Sequence, residues 1–257
     1  MSAEKERPLV DLLTDQLRLM AERFPDAPGY VQVAADRAIT FGQWDQESDR
    51  IATALLDADV QKGDRVAILL PPEEALGWII TYAAIHKAGA VAVPTSHRLA
   101  PRELQYVLEH SGAVAAFGGE GTTTLLDQVR PSVPALRWLT TTTGAFPAGF
   151  HRWSEVGGGA RPVQVPLDGD DMADIVYTSG TTGRPKGVVV RHRNVATIPN
   201  GLPRWSGDGW LHASPLFTFA GLASVYNPMK LGMTGLYQPR FDAGDWMAEV
   251  ERRRPAA

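Results

Sequence analysis

Short apolar runs alternate with longer segments of helical character between residues 65 and 140. Each run is as short and as apolar as a strand that is buried on both faces, and the runs are RVAILL, AVAVP, AVAAF and LRWLT. Pro101 lies where proline is favoured, at the first residue of a helix. Parallel strands are joined by long crossover connections, which are usually helices. The pattern therefore predicts an α/β fold with mostly parallel sheets covered by helices.

Apolar periodicity on either side of this region predicts further elements. Before residue 65 we expect a helix over 9–24, a hairpin over 30–41 and a helix over 43–57. A helix that opens at Pro71 extends to about Lys87, and strand and helix patterns alternate again from residue 209. Residues 140–170 are rich in threonine, glycine and proline without periodicity, which predicts a surface connection. We expect three tryptophans to fill the core: Trp44, Trp78 and Trp246.

Composition excludes several classes of function. The 257 residues include no cysteine, which rules out disulfides, thiolate metal sites and cysteine nucleophiles. A net charge of -4 gives no basic footprint, so nucleic acid is not an expected partner. The acidic amino terminus is unlike a signal or transit peptide, and the longest apolar run, residues 75–85, is too short for a transmembrane helix. We expect a cytoplasmic protein.

A loop rich in hydroxyls and glycines separates two apolar runs in YTSGTTGRPKGVVV, residues 177–190. Phosphate binding needs converging backbone N–H groups, which glycine permits, together with hydroxyl donors and a cation. The loop supplies all three. Its candidate phosphate ligands are Thr178, Ser179, Gly180, Thr181, Thr182, Gly183 and Lys186.

This loop has two other possible interpretations, a P-loop and a simple polar hairpin. The P-loop of nucleotide hydrolases requires glycine before its lysine and serine or threonine after it. Here Pro185 precedes Lys186 and Gly187 follows it, and a valine run replaces the helix. The P-loop is therefore excluded. The structural alternative is a long polar hairpin that joins two strands, since Gly-Thr turns are common.

The loop sequence YTSGTTGRPKGVVVRHRN resembles the signature of the adenylate-forming enzymes, which comprise acyl-CoA synthetases, luciferases and the adenylation domains of peptide synthetases. Other motifs extend the resemblance over nearly the whole chain: ITFGQWDQESDRIATAL, HKAGAVAVPTSHRLAPRELQYVLEHSGA and SPLFTFAGL. The segments VPTSHRLAP and LGMTGLYQPRFDAGDW look most like acyl-CoA synthetases. The resemblance implies that the chain folds as part of the large N-terminal domain of such an enzyme.

The resemblance also implies a reaction. In this family a carboxylate attacks the α-phosphate of ATP to give an acyl-adenylate and pyrophosphate, and a thiol, usually that of coenzyme A, then displaces AMP. We therefore expect ATP, coenzyme A and a small carboxylic acid as ligands. Mg²⁺ is expected to neutralise phosphate charge, although no residue of this chain is identified as its ligand. No catalytic residue is assigned within these 257 residues.

The family's acyl pocket corresponds by resemblance to the segment that contains Pro215, Leu216, Phe217, Thr218, Phe219 and Gly221. Thr218 stands where histidine is common in the family, which puts a histidine gate in doubt. His212 cannot be assumed to replace it. The alternative is an ordinary strand-to-helix junction that packs two aromatic rings into the core. Two other basic pairs, Arg191 with His192 and His97 with Arg98, are expected to contact backbone or solvent rather than to catalyse.

The resemblance covers about half of a family member. We expect residues 1–257 to form the N-terminal part of the AMP-binding domain, without the family's later motifs and without the C-terminal lid domain that carries its catalytic lysine. On its own this part is expected to bind nucleotide weakly and to lack adenylation activity, and a complementary C-terminal region of the same protein is a possible partner. Two alternatives stay open: a non-catalytic half that binds a ligand or partner, and an adenylation domain that loads a carrier protein.

Overall fold

The computed structural model describes residues 12–142, 146–159, 161–163, 165–178, 184–195, 198, 200–201 and 208–257. Its helices are α1 (Leu13–Arg23), α2 (Phe41–Asp57), α3 (Ala75–Lys87), α4 (Pro101–Ser111), α5 (Thr122–Val129), α6 (Phe219–Leu231) and α7 (Ala243–Arg253). Its strands are β1 (Pro28–Gln32), β2 (Arg37–Thr40), β3 (Arg65–Leu69), β4 (Val91–Pro94), β5 (Ala113–Gly118), β6 (Trp138–Thr141), β7 (Phe150–Arg152), β8 (Met172–Thr178), β9 (Lys186–Arg191), β10 (Gly209–His212) and β11 (Thr234–Tyr237).

The larger sheet has seven strands in the order β7-β6-β5-β3-β4-β8-β9. All neighbouring pairs are parallel except β8 and β9, which form an antiparallel pair at one edge. The central strands β3, β4 and β5 are almost completely buried, as their continuous apolar composition predicts. The predicted α/β class is therefore confirmed.

The smaller sheet has four strands in the order β10-β11-β1-β2. The strands β1 and β2 form the expected hairpin, and β1 also pairs in parallel with β11, so that Tyr30 lies beside Gly235. The Tyr30 ring packs where a side chain on residue 235 would begin, because a Cβ there would lie 2.5 Å from the ring. Glycine at 235 thus lets the early and late parts of the chain share one sheet.

Helices α2 and α3 form the centre of the main hydrophobic core. The Thr40 hydroxyl accepts a hydrogen bond from the Gln43 backbone, and Gln43 bonds back to Thr40, which makes a capping box at the start of α2. Trp44 and Trp78 are buried, and the Trp44 indole donates to the carbonyl of Ile79. Because α3 is buried on nearly all sides, its sequence is apolar all round instead of amphipathic. Among the described residues, no helix has both the length and the apolar character that a bilayer span requires.

Several sequence-based expectations need correction. Residues 140–170 are not solely a connection, because β7 lies within them and pairs with β6. Three residues are too few to show a period, so the pattern could not reveal this strand. The first helix begins at Leu13 among the described residues, and α3 is preceded by a short 3-10 turn, Pro72–Glu74. Trp246 is only half-buried, on the outer helix α7.

Candidate active site

The loop that carries the predicted phosphate ligands lies between β8 and β9. These strands pair in register up to Thr178 and Lys186, which are direct partners across the ladder. Both side chains are exposed. The predicted ligands between them lie outside the described residues: Ser179, Gly180, Thr181, Thr182 and Gly183. The antiparallel strands β8 and β9 agree with the alternative interpretation of the loop, a polar hairpin that joins two strands. A hairpin of this kind is also compatible with phosphate binding.

Helix α4 contacts both flanks of this loop. The Tyr106 hydroxyl donates to the carbonyl of Pro185 at 3.3 Å, and the Arg184 guanidinium lies 5.8 Å from the centre of the Tyr106 ring. On the other flank, His110 Nδ1 and the Tyr177 hydroxyl share a hydrogen bond of 2.8 Å. Burial raises the pKa of Tyr177 to about 12, so its hydroxyl stays protonated.

The carboxyl ends of strands from both sheets meet beside a cavity. In open α/β sheets, ligands bind beyond these strand ends. The cavity has a volume of about 110 Å³ and is lined by Leu70, Pro72, Trp78, His97, Arg98, Pro215, Leu216, Phe217, Tyr237 and Pro239. These residues include segments that follow β3, β4 and β10 and the end of β11. Thr178 ends β8, which is parallel to β4, and so lies at the same edge of the larger sheet.

The predicted acyl-pocket segment divides between the cavity and a helix start. Pro215, Leu216 and Phe217 line the cavity. The Thr218 hydroxyl accepts from the Gly221 backbone N–H at 3.1 Å and thereby caps the first turn of α6.

Two other members of that segment lie on the first turn of α6. Phe219 is 45% exposed. Gly221 packs against the preceding turn, where an added Cβ would lie 2.1 Å from the Pro215 carbonyl oxygen. In this structure Gly221 is therefore required for close packing of the backbone.

His97 and Arg98 line the same cavity, although their sequence pattern indicated only backbone or solvent contacts. Arg98 Nε donates to His97 Nε2 at 3.3 Å, and the ring of His97 meets that of Phe217 edge-on at 6.3 Å. Burial, with the charge of Arg98, lowers the pKa of His97. The signal for this pair was its place just after a buried strand, at the carboxyl edge of the sheet.

His212 does not take the place of a gate histidine. Its Nε2 shares a hydrogen bond of 2.8 Å with the Tyr30 hydroxyl, and its ring also packs against Tyr237. Burial lowers the pKa of His212 to about 4, so the ring is neutral near pH 7. This histidine joins β10 to β1 inside the smaller sheet.

A buried polar cluster lies beneath the loop-bearing strands. His86 Nε2 is 3.2 Å from Asp174 Oδ1, and the His192 ring is 5.0 Å from that of His86. Burial raises the pKa of Asp174 and lowers that of His192 to about 3. The expectation that His192 meets backbone or solvent is wrong, because its ring is buried and no described residue bonds to either ring nitrogen. Arg191, in contrast, donates to the carbonyl of Asp170.

The described residues fit the expected nucleotide better than the expected metal. An exposed lysine beside a hydroxyl can hold phosphate oxygens. Across the described part of the chain, no group of three or more histidine, aspartate or glutamate side chains is arranged to hold a metal ion. No described residue is therefore assigned as a ligand of Mg²⁺.

Comparisons with known proteins agree with the loop signature. The sequence model of the AMP-binding enzyme family matches residues 17–257. The long-chain-fatty-acid–CoA ligase FadD13 of Mycobacterium tuberculosis is 32% identical over 245 residues, which are 92% of this chain and 47% of that protein. A feruloyl-CoA synthase of Amycolatopsis sp is 34% identical over 223 residues, covering 84% of this chain and 42% of its own length. The chain thus spans about half the length of the curated relatives it matches.

Solved structures show the same relationship. The inhibitor-bound N-terminal domain of FACL13 from Mycobacterium tuberculosis superposes with a TM-score of 0.81 at 29% identity, covering 95% of this chain and 61% of that one. The expected fold, part of the large N-terminal domain of an adenylate-forming enzyme, is therefore confirmed. Sequence signature, fold and relatives converge on one conclusion: the chain belongs to the AMP-binding enzyme family.

Proposed function

We propose that this chain supplies the phosphate-binding loop and part of the acyl pocket of an AMP-forming acid–thiol ligase. The observation that carries the proposal is the register of the loop strands. It sets exposed Thr178 opposite exposed Lys186, at the sheet edge where the cavity of about 110 Å³ also lies. Relatives named as a long-chain-fatty-acid–CoA ligase, a feruloyl-CoA synthase and a 2-succinylbenzoate–CoA ligase support the same reaction class.

In the proposed reaction a carboxylate oxygen attacks the α-phosphorus of ATP, and the bond to the bridging oxygen breaks to release pyrophosphate. A thiol sulfur then attacks the acyl carbonyl and loses its proton, and AMP leaves. Negative charge grows on the departing pyrophosphate. Lys186 and the hydroxyl of Thr178, together with donors from residues 179–183, would stabilise that charge through hydrogen bonds. Mg²⁺ would neutralise more of it when bound.

The acid would enter beside the cavity lined by Pro215, Leu216 and Phe217. The cavity is smaller than the roughly 150 Å³ that holds a benzene molecule in an engineered core. Its described walls therefore suit the carboxylate end of an acid better than a whole long chain. The neutral ring of His97 and the charge of Arg98 supply the polar part of the wall.

We further propose that adenylation requires residues beyond those present in this chain. The matched relatives are about twice as long as the region they share with it. On this proposal the 257 residues bind ATP weakly and do not turn over.

Pyrophosphate exchange tests the proposal. Full-length protein and the 257-residue chain are each incubated with ATP, Mg²⁺, labelled pyrophosphate and single carboxylic acids from an aliphatic and aromatic panel. We expect acid-dependent exchange by the full-length protein and none by the shorter chain. If the full-length protein binds ATP but catalyses no exchange with any acid, that result would favour a non-catalytic protein that only binds its ligand. Robust exchange by the shorter chain would disprove the dependence on other residues.

A second step identifies the thiol. Once an acid supports exchange, coenzyme A and a phosphopantetheinylated carrier protein are supplied separately, and AMP release is measured. We expect coenzyme A to accelerate AMP release. Acceleration by the carrier protein alone would instead assign an adenylation domain that loads a carrier.

A further inference from the structure

Two aromatic side chains on one face of α4 contact the described residues that flank the phosphate loop, one before it and one after it. Tyr106 and His110 are one helical turn apart, and their rings stack with centres 5.2 Å apart. Neither ring is fully buried. Tyr106 is half-buried and His110 is exposed, so both can contact the strands β8 and β9 at the surface of the molecule.

His110 contacts the residue that leads into the loop. Its Nδ1 shares the 2.8 Å hydrogen bond with the Tyr177 hydroxyl, and the two rings meet edge-on at 5.8 Å. Tyr177 directly precedes Thr178, the first predicted phosphate ligand. A fixed Tyr177 therefore fixes the end of β8 from which the loop departs.

Tyr106 contacts the residues that lead out of the loop. Its hydroxyl donates to the Pro185 carbonyl at 3.3 Å, and its ring faces the Arg184 guanidinium at 5.8 Å. Pro185 directly precedes Lys186. Tyr106 therefore holds the start of β9 beside the predicted cation.

The strand β9 lies at the edge of the larger sheet, so it has a strand partner on one side only. It pairs only with β8 in the described sheet, and Val188 and Val189 are 41% and 50% exposed. A sequence of glycines and hydroxyl residues loses much conformational freedom when a ligand orders it. Fixing both of its ends lowers that loss.

We propose that Tyr106 and His110 are positioning residues, which clamp the two ends of the phosphate loop so that Thr178 and Lys186 keep the spacing needed for ATP phosphates. This inference rests on the proposed function. It assigns α4 a part in nucleotide binding without any contact between its side chains and the nucleotide.

The simpler alternative is that α4 merely packs against the hairpin and stabilises the fold. The two cases predict different effects of Tyr106→Phe on ATP binding and on the melting temperature. That change removes the bond to Pro185 but keeps the ring near Arg184 and within the stack on His110. If the contacts position the loop, the ATP response should be graded from Tyr106→Phe to Tyr106→Ala, without a matching change in melting temperature.

The test compares Tyr106→Phe, Tyr106→Ala and His110→Ala with Gln105→Ala. Gln105 is the control because its side chain bonds only to Glu109 of the same helix among the described residues. Hydrogen exchange of backbone amides in residues 177–190 reports anchoring of the loop ends. KM for ATP and kcat are measured separately in the full-length enzyme with a working acid.

In Tyr106→Ala and His110→Ala we expect faster hydrogen exchange at the loop flanks. We also expect KM for ATP to rise by up to about tenfold, which corresponds to the net free energy of one hydrogen bond. Tyr106→Phe should lie between these variants and the wild type, and Gln105→Ala should match the wild type. Unchanged flank exchange in both alanine variants would overturn the clamp. Faster exchange with a normal KM for ATP would overturn its role in nucleotide binding while leaving the proposed function intact. Failure of the unmodified enzyme to bind ATP would overturn both.

Discussion

Thr178 and Lys186 are direct cross-strand partners at the loop end of the β8–β9 pair. The first is the last residue of one strand and the second is the first residue of the next, so the loop between them begins and ends at one rung of the sheet. Both side chains are exposed. A hydroxyl and an ammonium group are thus available together at the mouth of a loop whose sequence is suited to phosphate.

Replacement of the lysine should weaken nucleotide binding with little effect on folding. A hydrogen bond to a charged group contributes about 1.5–3 kcal/mol, so under the proposed function Lys186→Ala should raise KM for ATP by at least about tenfold. Lys186→Arg should keep part of the affinity, because the charge remains but its geometry differs. The control is Arg37→Ala, which removes an exposed cation from β2. An unchanged KM in Lys186→Ala would contradict the assignment of this residue.

Gly221 offers a test of the turn that leads into α6. An alanine Cβ would lie 2.1 Å from the Pro215 carbonyl oxygen and 2.7 Å from Leu216 Cα, both backbone atoms. Gly221→Ala should therefore lower the free energy of unfolding by about 1–3 kcal/mol, as overpacking does. Gly158→Ala should be neutral, since no atom lies within 4 Å of its Cβ position. Urea unfolding followed by tryptophan fluorescence measures the free energy of unfolding of both variants and of the wild type. A Gly221→Ala midpoint equal to that of the wild type would show that the turn can relax to accommodate the methyl group.

Thr218 should matter for stability as the N-cap of α6. Thr218→Ala removes the acceptor for the Gly221 N–H and should reduce the free energy of unfolding by about 1 kcal/mol. Thr218→Ser keeps the hydroxyl and should stay close to the wild type. Thermal unfolding of the wild type and the two variants in one buffer measures these differences in stability. A serine variant as unstable as the alanine variant would attribute the loss to the methyl group instead of the cap.

Buried neutral histidines predict loss of stability in mild acid. The pKa of His212 falls from 6.5 in the unfolded chain to about 4 in the folded protein. Below pH 6.5, His212 therefore binds a proton in the unfolded chain, whereas in the folded protein it stays neutral down to about pH 4. Stability is full above this window and falls within it by up to about 1.4 kcal/mol per pH unit.

The matched variant for this effect is His212→Gln, which can still accept from the Tyr30 hydroxyl but does not titrate. Its free energy of unfolding should depend less steeply on pH than that of the wild type. Some slope should remain, because His192, with a pKa of about 3 in the folded protein, acts in the same direction. Urea unfolding between about pH 7 and about pH 5 measures the slopes. Parallel slopes would show that His212 has the same pKa in the folded and unfolded proteins, which would contradict its lowered pKa in the folded state.

The sequence predicted those features that depend on neighbouring residues. The strands β3 to β6 and the helices between them follow from local apolar patterns, and they lie close to their predicted positions. The loop signature indicated both the family and the class of ligand. Local composition is enough for these conclusions because strand and helix periods are properties of short stretches.

Contacts between distant parts of the chain were decided only by the tertiary structure. The pairing of β1 with β11, the place of His97 beside Phe217 and the burial of His192 all join residues far apart in sequence. The short strand β7 is defined by its partner β6 rather than by its own composition. Periodicity determines which face of an element is apolar, but the element against which that face packs depends on the shape and register of the whole assembly.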